Sequence, residues 1–365
     1  MSAEPMRLPP PSNHALWATQ RAILTFGHLM PAQLQRLSDD EWSRLSRWAG
    51  AERVLGLACH ALLDQPELTS AQRAELEQLG HCASMISLHV DASARRAGRR
   101  LSDAGVDFRV LKGYGTARIL YPDPSWRQYG DFDVLVRRDD FERAVKALSP
   151  SLVGSPPAQP GPARRSIVKE YPLLDDRGIE IDMHVAVQGS LFTSTLDTAV
   201  LFSGGQPIPG AEHMFALSPT GLFVHAVLHV STVNWRTSSI PDVLRLAEDV
   251  DPLDEEFRSL IRTRQQQALF AWALGRVLLW APLPDAWQGF RDRYHPVGRQ
   301  ASLYEWVHVS EERARLANTL LGPRRLKRLA ETVWPSQEFL EEWGIDHFGN
   351  LRRLFSDAVT AAGRR

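Results

Sequence analysis

The sequence predicts an α/β (α+β) fold in which a unit of strands and helices is set between two helical regions. Three observations predict it. Apolar residues recur at three- and four-residue spacing before residue 105, and the chain after Pro219 again reads as helical. Residues 107–148 read in the order strand, turn, helix, loop, strand, helix. Residues 166–187 then read as two further strands around a turn.

Taken in order, residues 1–13 are Pro-rich and expected to be disordered. From Ala15 the pattern is helical, with Trp42, Leu45, Trp48 and Ala49, then Val54, Leu55, Ala58 and Leu62, at helical spacing. A second helical stretch follows Ser70 and reaches Leu101; Asp103-Ala104-Gly105 ends it, with Gly105 suited to the left-handed conformation past a helix. Asp107 to Leu111 reads as a short strand, and Lys112-Gly113-Tyr114-Gly115 as a turn into a helix that runs to about Tyr121 and is stopped by Pro122-Asp123-Pro124. A second strand spans Asp131 to Val136, and a helix begins at Asp139-Asp140 and reaches Leu148. Five prolines between Pro150 and Pro162 mark an exposed loop over 149–163. Strands are expected over Ser166–Leu174 and Gly178–Val187, joined at Asp175-Asp176-Arg177-Gly178. The chain after Pro219 reads as helical to its end, with breaks near Pro282, Pro296 and Gly322. The expected division is a disordered 1–13, an N-terminal helical region 14–105, a sheet-containing core 106–218 and a C-terminal helical region 219–365.

Composition narrows the function. The 365 residues carry 42 Lys plus Arg against 43 Asp plus Glu, a formal net charge of −1. Phosphate contacts supply most nucleic-acid affinity, so this balance argues against a dedicated DNA or RNA binder. Cys59 and Cys82 make neither a zinc pattern nor a disulfide framework. No signal-peptide pattern opens the chain, and the longest apolar stretch, Ala268 to Leu283, is interrupted by Arg276 and too short to span a bilayer. A cytoplasmic protein without membrane partners is expected.

The informative segment is LKGYGTARILYPDPSWRQYGDFDVLV, residues 111–136. On a strand alternate side chains share a face, so Asp131 and Asp133 project together while Phe132, Val134 and Val136 point the other way. Two carboxylates this close are costly to keep ionised without a cation between them, and Mg²⁺ is the usual hard ion where phosphates are also present. The Gly113 turn lets backbone amides approach a phosphate at a helix N-terminus, and Lys112 and Arg127 can neutralise further charge. Arg127 is equally suited to pairing with Asp131. In GIEIDMHV, Ile179, Ile181, Met183 and Val185 form an apolar face opposite Glu180, Asp182 and His184, which makes Asp182 the candidate third acid. An isolated Asp-x-Asp is a weak motif; the turn, the arginine and the second acidic strand are what raise it. His225 and His229, in HAVLH, have zinc-protease spacing, but Ala226 stands where the glutamate base would be, so packing histidines are expected. Arg95, Arg96, Arg99 and Arg100 read as a solvated helix face, and the tryptophans as helical packing.

The LKG turn, the tyrosine ending the next helix, the Arg-x-x-x-Asp-x-Asp pattern of Arg127, Asp131 and Asp133, and the later Asp-x-His strand resemble the bacterial uncharacterised nucleotidyltransferase family. That family lies within the polymerase-β-like superfamily. The turn differs from the Gly-Gly or Gly-Ser of the wider superfamily and agrees with the narrower family. The resemblance implies a small mixed sheet flanked by helices, an NTP (ATP favoured) as co-substrate, and two Mg²⁺ ions. Carried over by position, Asp131 and Asp133 are the paired metal ligands, Asp182 the third carboxylate, and Lys112, Gly113 and Arg127 the nucleotide-binding residues. In-line transfer of NMP, AMP above all, to a hydroxyl or phosphate of a small molecule, peptide or protein is then expected, with nucleic acid disfavoured on charge grounds. The alternatives are a catalytically silent nucleotide- or partner-binding relative, which predicts a lost acid that is not seen, and an RNA-end nucleotidyltransferase.

Overall fold

The computed structural model describes residues 14–26, 37–153, 170–187, 196–232 and 237–297. Local sequence signals set most helix starts. After α1 (His14–Leu24), Ser38 caps α2 (Asp39–Ala51) and closes a reciprocal capping box with Glu41. A turn at Glu52 and Arg53 leads into α3 (Leu55–Leu62). Thr69 and Gln72 form a second capping box that starts α4 (Ser70–Asp103), 34 residues and so roughly 51 Å long. Gly105 ends it at φ +65°, and the Val106 N–H donates back to the Leu101 carbonyl.

The sheet follows: β1 (Phe108–Val110), α5 (Tyr114–Leu120), a 3₁₀ turn at Pro124–Trp126, β2 (Asp131–Val136), α6 (Phe141–Leu148), β3 (Glu170–Leu174) and β4 (Glu180–His184). Then come α7 (Thr198–Ser203), β5 (Gln206–Pro207) and β6 (Phe215–Ala216). The six strands form one mixed sheet in the order β3-β4-β2-β1-β6-β5. The chain is therefore α+β, with a six-stranded sheet and 12 helices among the described residues. β2 and β4 are parallel neighbours in a register that sets Asp131 beside Glu180, Asp133 beside Asp182 and Leu135 beside His184. α8 (Pro219–Thr232), α9 (Ile240–Leu246), α10 (Glu255–Leu260), α11 (Arg264–Val277) and α12 (Asp285–Tyr294) follow, with Phe223, Phe257, Phe270 and Trp287 packed into one aromatic centre.

Several elements differ from the sequence expectation. Among the described residues, the helical stretch from Ala15 to Leu62 is three helices; α2 ends at Glu52 and Arg53 with no Gly or Pro at those two positions. The helix expected from Asp139 begins as a 3₁₀ turn over Arg138–Asp140 and becomes α-helical at Phe141. α7, β5 and β6 were not predicted, because a helix of six residues and strands of two are too short for a periodic signal. β2 is enclosed on both sides: Phe132, Val134 and Val136 are fully buried, and so are Leu135 and all but 1% of Asp133. The N-terminal 1–13, most of the 149–163 loop, Ser166 to Lys169, Trp235 and the break at Gly322 lie outside the described residues.

Candidate active site

The parallel pairing of β2 and β4 brings acids from two distant stretches to one face. Asp133 and Asp182 sit directly opposite each other, and His184 is one strand step further on. Asp133, Asp182 and His184 each offer a ligand atom, and these atoms lie within 4.8 Å of one another. Asp133 Oδ1 is 3.0 Å from Lys112 Nζ and 3.3 Å from His184 Nε2. Asp133 Oδ2 is buried and has no hydrogen-bond partner among the described residues. Such an orphaned carboxylate oxygen is expensive unless something positive meets it. Two carboxylates and an imidazole gathered at one point, one of them with an unpartnered oxygen, make a donor set that fits a divalent cation. Burial pushes the Asp133 carboxyl upward, yet Lys112 and His184 hold it well below the usual carboxylate range. Burial works equally against the Lys112 charge, but Asp133, with Asp131 and Asp182 beyond it, outweighs burial and raises its pKa.

Asp131 stands outside this tight group. Its Oδ2 is 3.3 Å from Nη1 of Arg53, a residue that sequence reasoning missed. Gly113, the residue before α5, adopts φ +54°, and a Cβ there would lie 3.0 Å from Tyr129 Cβ. The turn is thus closed to larger residues on both backbone and steric grounds. A cleft opens beside it, lined by Arg53, Lys112, Gly113, Asp131, His229 and Ser238 among others.

Arg127 also borders this cleft; of the two roles the sequence allowed equally, phosphate contact and pairing with Asp131, the ion pair with Asp131 is not made. Its Nε and Nη2 donate to the Asp242 carboxylate at 3.0 Å, and its Nη1 donates to the Gln128 carbonyl at 2.8 Å. Tyr121, at the end of α5, donates to the same carboxylate at 2.6 Å. The reason is burial: Arg127 is 5% and Asp242 2% exposed, and a charge taken out of water takes the nearest opposite charge. Glu180 is exposed, as expected for a residue on the outer end of β4.

The HAVLH histidines are packed as expected, and His229 also lines the cleft. His225 hydrogen-bonds the Leu111 backbone, and burial, followed by Lys112 and His184, pushes its pKa down to about 3. His229 Nδ1 is 2.8 Å from Ser239 Oγ, and its pKa too is driven down, first by burial and then by Lys112 and His225. Both rings are neutral in the folded chain and would bind a proton once unfolded below about pH 6.5. Stability is therefore expected to fall as pH drops from about 6.5 toward about 3, because the unfolded state gains the protons. Urea unfolding midpoints across that range measure the slope. His225→Gln should flatten it, and identical slopes in the two proteins would sink the assignment.

A family described as "Uncharacterised nucleotidyltransferase" matches residues 38–282, from the cap of α2 to the loop before α12. No curated protein and no solved structure matches the chain.

Proposed function

The chain belongs to the uncharacterised nucleotidyltransferase family, and on that ground we propose that it transfers a nucleoside monophosphate, AMP from ATP, to a hydroxyl or phosphate of a small-molecule, peptide or protein acceptor. The observation that carries this reading is the convergence of Asp133, Asp182 and His184, with one buried Asp133 oxygen left without a partner among the described residues, near a glycine turn that lines a cleft. Asp133 and Asp182 are assigned as metal ligands, with Asp131 joining them from the cleft side. Mg²⁺ suits the carboxylate oxygens, and His184 in the same group makes Mn²⁺ an equally good fit. When bound, the ion supplies the charge that stabilises the transferring phosphoryl group and lowers the pKa of the attacking hydroxyl.

The chain's own residues do the remainder. Lys112 keeps Asp133 ionised, so the carboxylate is a ready ligand at neutral pH. The Gly113 turn admits a phosphate close to backbone amides, since no side chain there shields them. Asp182, in the same group, is assigned the acceptor's proton in addition to the metal. The formal charge of −1 gives no general attraction for a nucleic-acid acceptor.

The test is pyrophosphate release from ATP with Mg²⁺ or Mn²⁺ and a panel of hydroxyl and phosphate acceptors. Release that needs the metal and stops on chelation is the expected result. Nucleotide binding with no release for any acceptor overturns the enzymatic reading in favour of a silent relative, and transfer to RNA ends alone overturns the acceptor class.

A further inference from the structure

Arg53 occupies a position where its backbone is the wrong one for an arginine. α2 closes in a Schellman arrangement: the Arg53 N–H donates to the Gly50 carbonyl at 3.2 Å, and the Val54 N–H to the Ala49 carbonyl at 2.9 Å. The residue past the cap of such a turn takes a left-handed conformation and is usually glycine. Here it is Arg53, at φ +58°. A non-glycine residue held in this region is strained, and such strain clusters where a side chain is needed for function.

That side chain reaches the cleft. The guanidinium lies over Gly130, with Cζ and Nη2 3.4 Å from where a Cβ would stand, and Nη1 meets Asp131 Oδ2 at 3.3 Å. The turn that carries it is firmly held. Glu52 accepts from the Thr237 N–H at 2.9 Å, and α3 packs so closely on the Ser125 and Trp126 backbone that Gly56 leaves no room for a Cβ. Arg53 is thus a partly exposed cation fixed at the cleft edge.

Among the described cations lining the cleft, Lys112 is held against Asp133 and Arg127 against Asp242. Arg53 makes one long contact through one nitrogen, and its partner is the acid assigned above to the metal. A metal on Asp131 would satisfy that carboxylate and repel the guanidinium, leaving a planar fork of donors facing the cleft. Such a fork matches the paired oxygens of a phosphate.

Resting on the nucleotidyltransferase reading, we propose that Arg53 is a polyphosphate-binding residue of this site, supplied by the N-terminal helices and exchanging Asp131 for the β- and γ-phosphates of the bound nucleotide. Its contribution is confined to the polyphosphate tail, so it distinguishes a triphosphate from a monophosphate.

Calorimetric titration with Mg²⁺ tests this, using α,β-methylene-ATP and AMP as ligands for the wild type, Arg53→Gly and Arg53→Lys. Loss of one charge-assisted contact should weaken the ATP analogue about tenfold or more in Arg53→Gly, leaving AMP within about twofold. Arg53→Lys should fall between, since it keeps the charge and loses the fork. Glycine is the residue the turn prefers, so Arg53→Gly should melt no lower than wild type, and the lost affinity is not lost folding. An unchanged ratio of ATP-analogue to AMP affinity overturns the proposal while the wild type still binds both. A wild type that binds neither ligand overturns the nucleotidyltransferase reading itself.

Discussion

Asp133→Asn is expected to lower pyrophosphate release by about 10³-fold or more, the rate equivalent of the several kcal/mol that a metal-borne charge supplies to phosphoryl transfer. The substitution keeps shape and removes charge. Asp133 is 1% exposed, and its second oxygen has no hydrogen-bond partner among the described residues, so the native site is built around a negative charge that only a cation balances fully. The amide in its place offers one weaker oxygen and one N–H donor, and the donor would meet the ion wherever it points at the cluster. Lys112 keeps Asp131 and Asp182 as counter-charges, so its ammonium stays and the strand pairing with it. Mn²⁺ affinity, read by paramagnetic resonance without nucleotide, should fall together with the rate. A variant that loses the rate but binds Mn²⁺ as the wild type does would show that Asp133 serves the site in some other way.

What could be read from the chain alone was the side of each strand, and not what covers it or stands beside it. The alternation in Asp131 to Val136 places Asp131 and Asp133 on one face correctly, but it suggests a half-solvated strand. From Phe132 to Val136 both faces are buried, and Asp133 is an interior charge. The 4.8 Å grouping depends on β4 lying parallel to β2 in one register, and that neighbourhood is set by the crossover between them, which period-two patterning does not record. Arg53 lies 78 residues from Asp131, within a segment that reads as an ordinary charged helix end. Its one local signal is negative: α2 stops where neither Gly nor Pro stops it. Arg127 was visible as a lone cation before an acidic strand, but its partner lies 115 residues away in a stretch that carried no reading beyond helix. Residue type and period are local; the pairs that build the site are not.

The Arg127–Asp242 pair carries the second large effect, this one on stability. Asp242→Ala is expected to cost about 3–5 kcal/mol, the usual penalty for stranding one member of a buried ion pair. Both partners lie at 5% exposure or less, and the variant would leave the Arg127 guanidinium and the Tyr121 hydroxyl without the carboxylate they share. The double variant Arg127→Met with Asp242→Leu removes both charges and should recover much of that loss, because burying the pair was itself costly. Urea unfolding of the two singles and the double gives the coupling. If Asp242→Ala unfolds at the wild-type midpoint, the pair is not holding the fold. The comparison also shows what the helices after Pro219 contribute. Arg127 is followed closely by Tyr129, Gly130 and Asp131, so its anchor on α9 fixes the run of chain that delivers β2 to the site. A double variant that regains stability but turns over slowly would mean that α9 positions the catalytic strand; one that regains both would mean that it only covers the sheet.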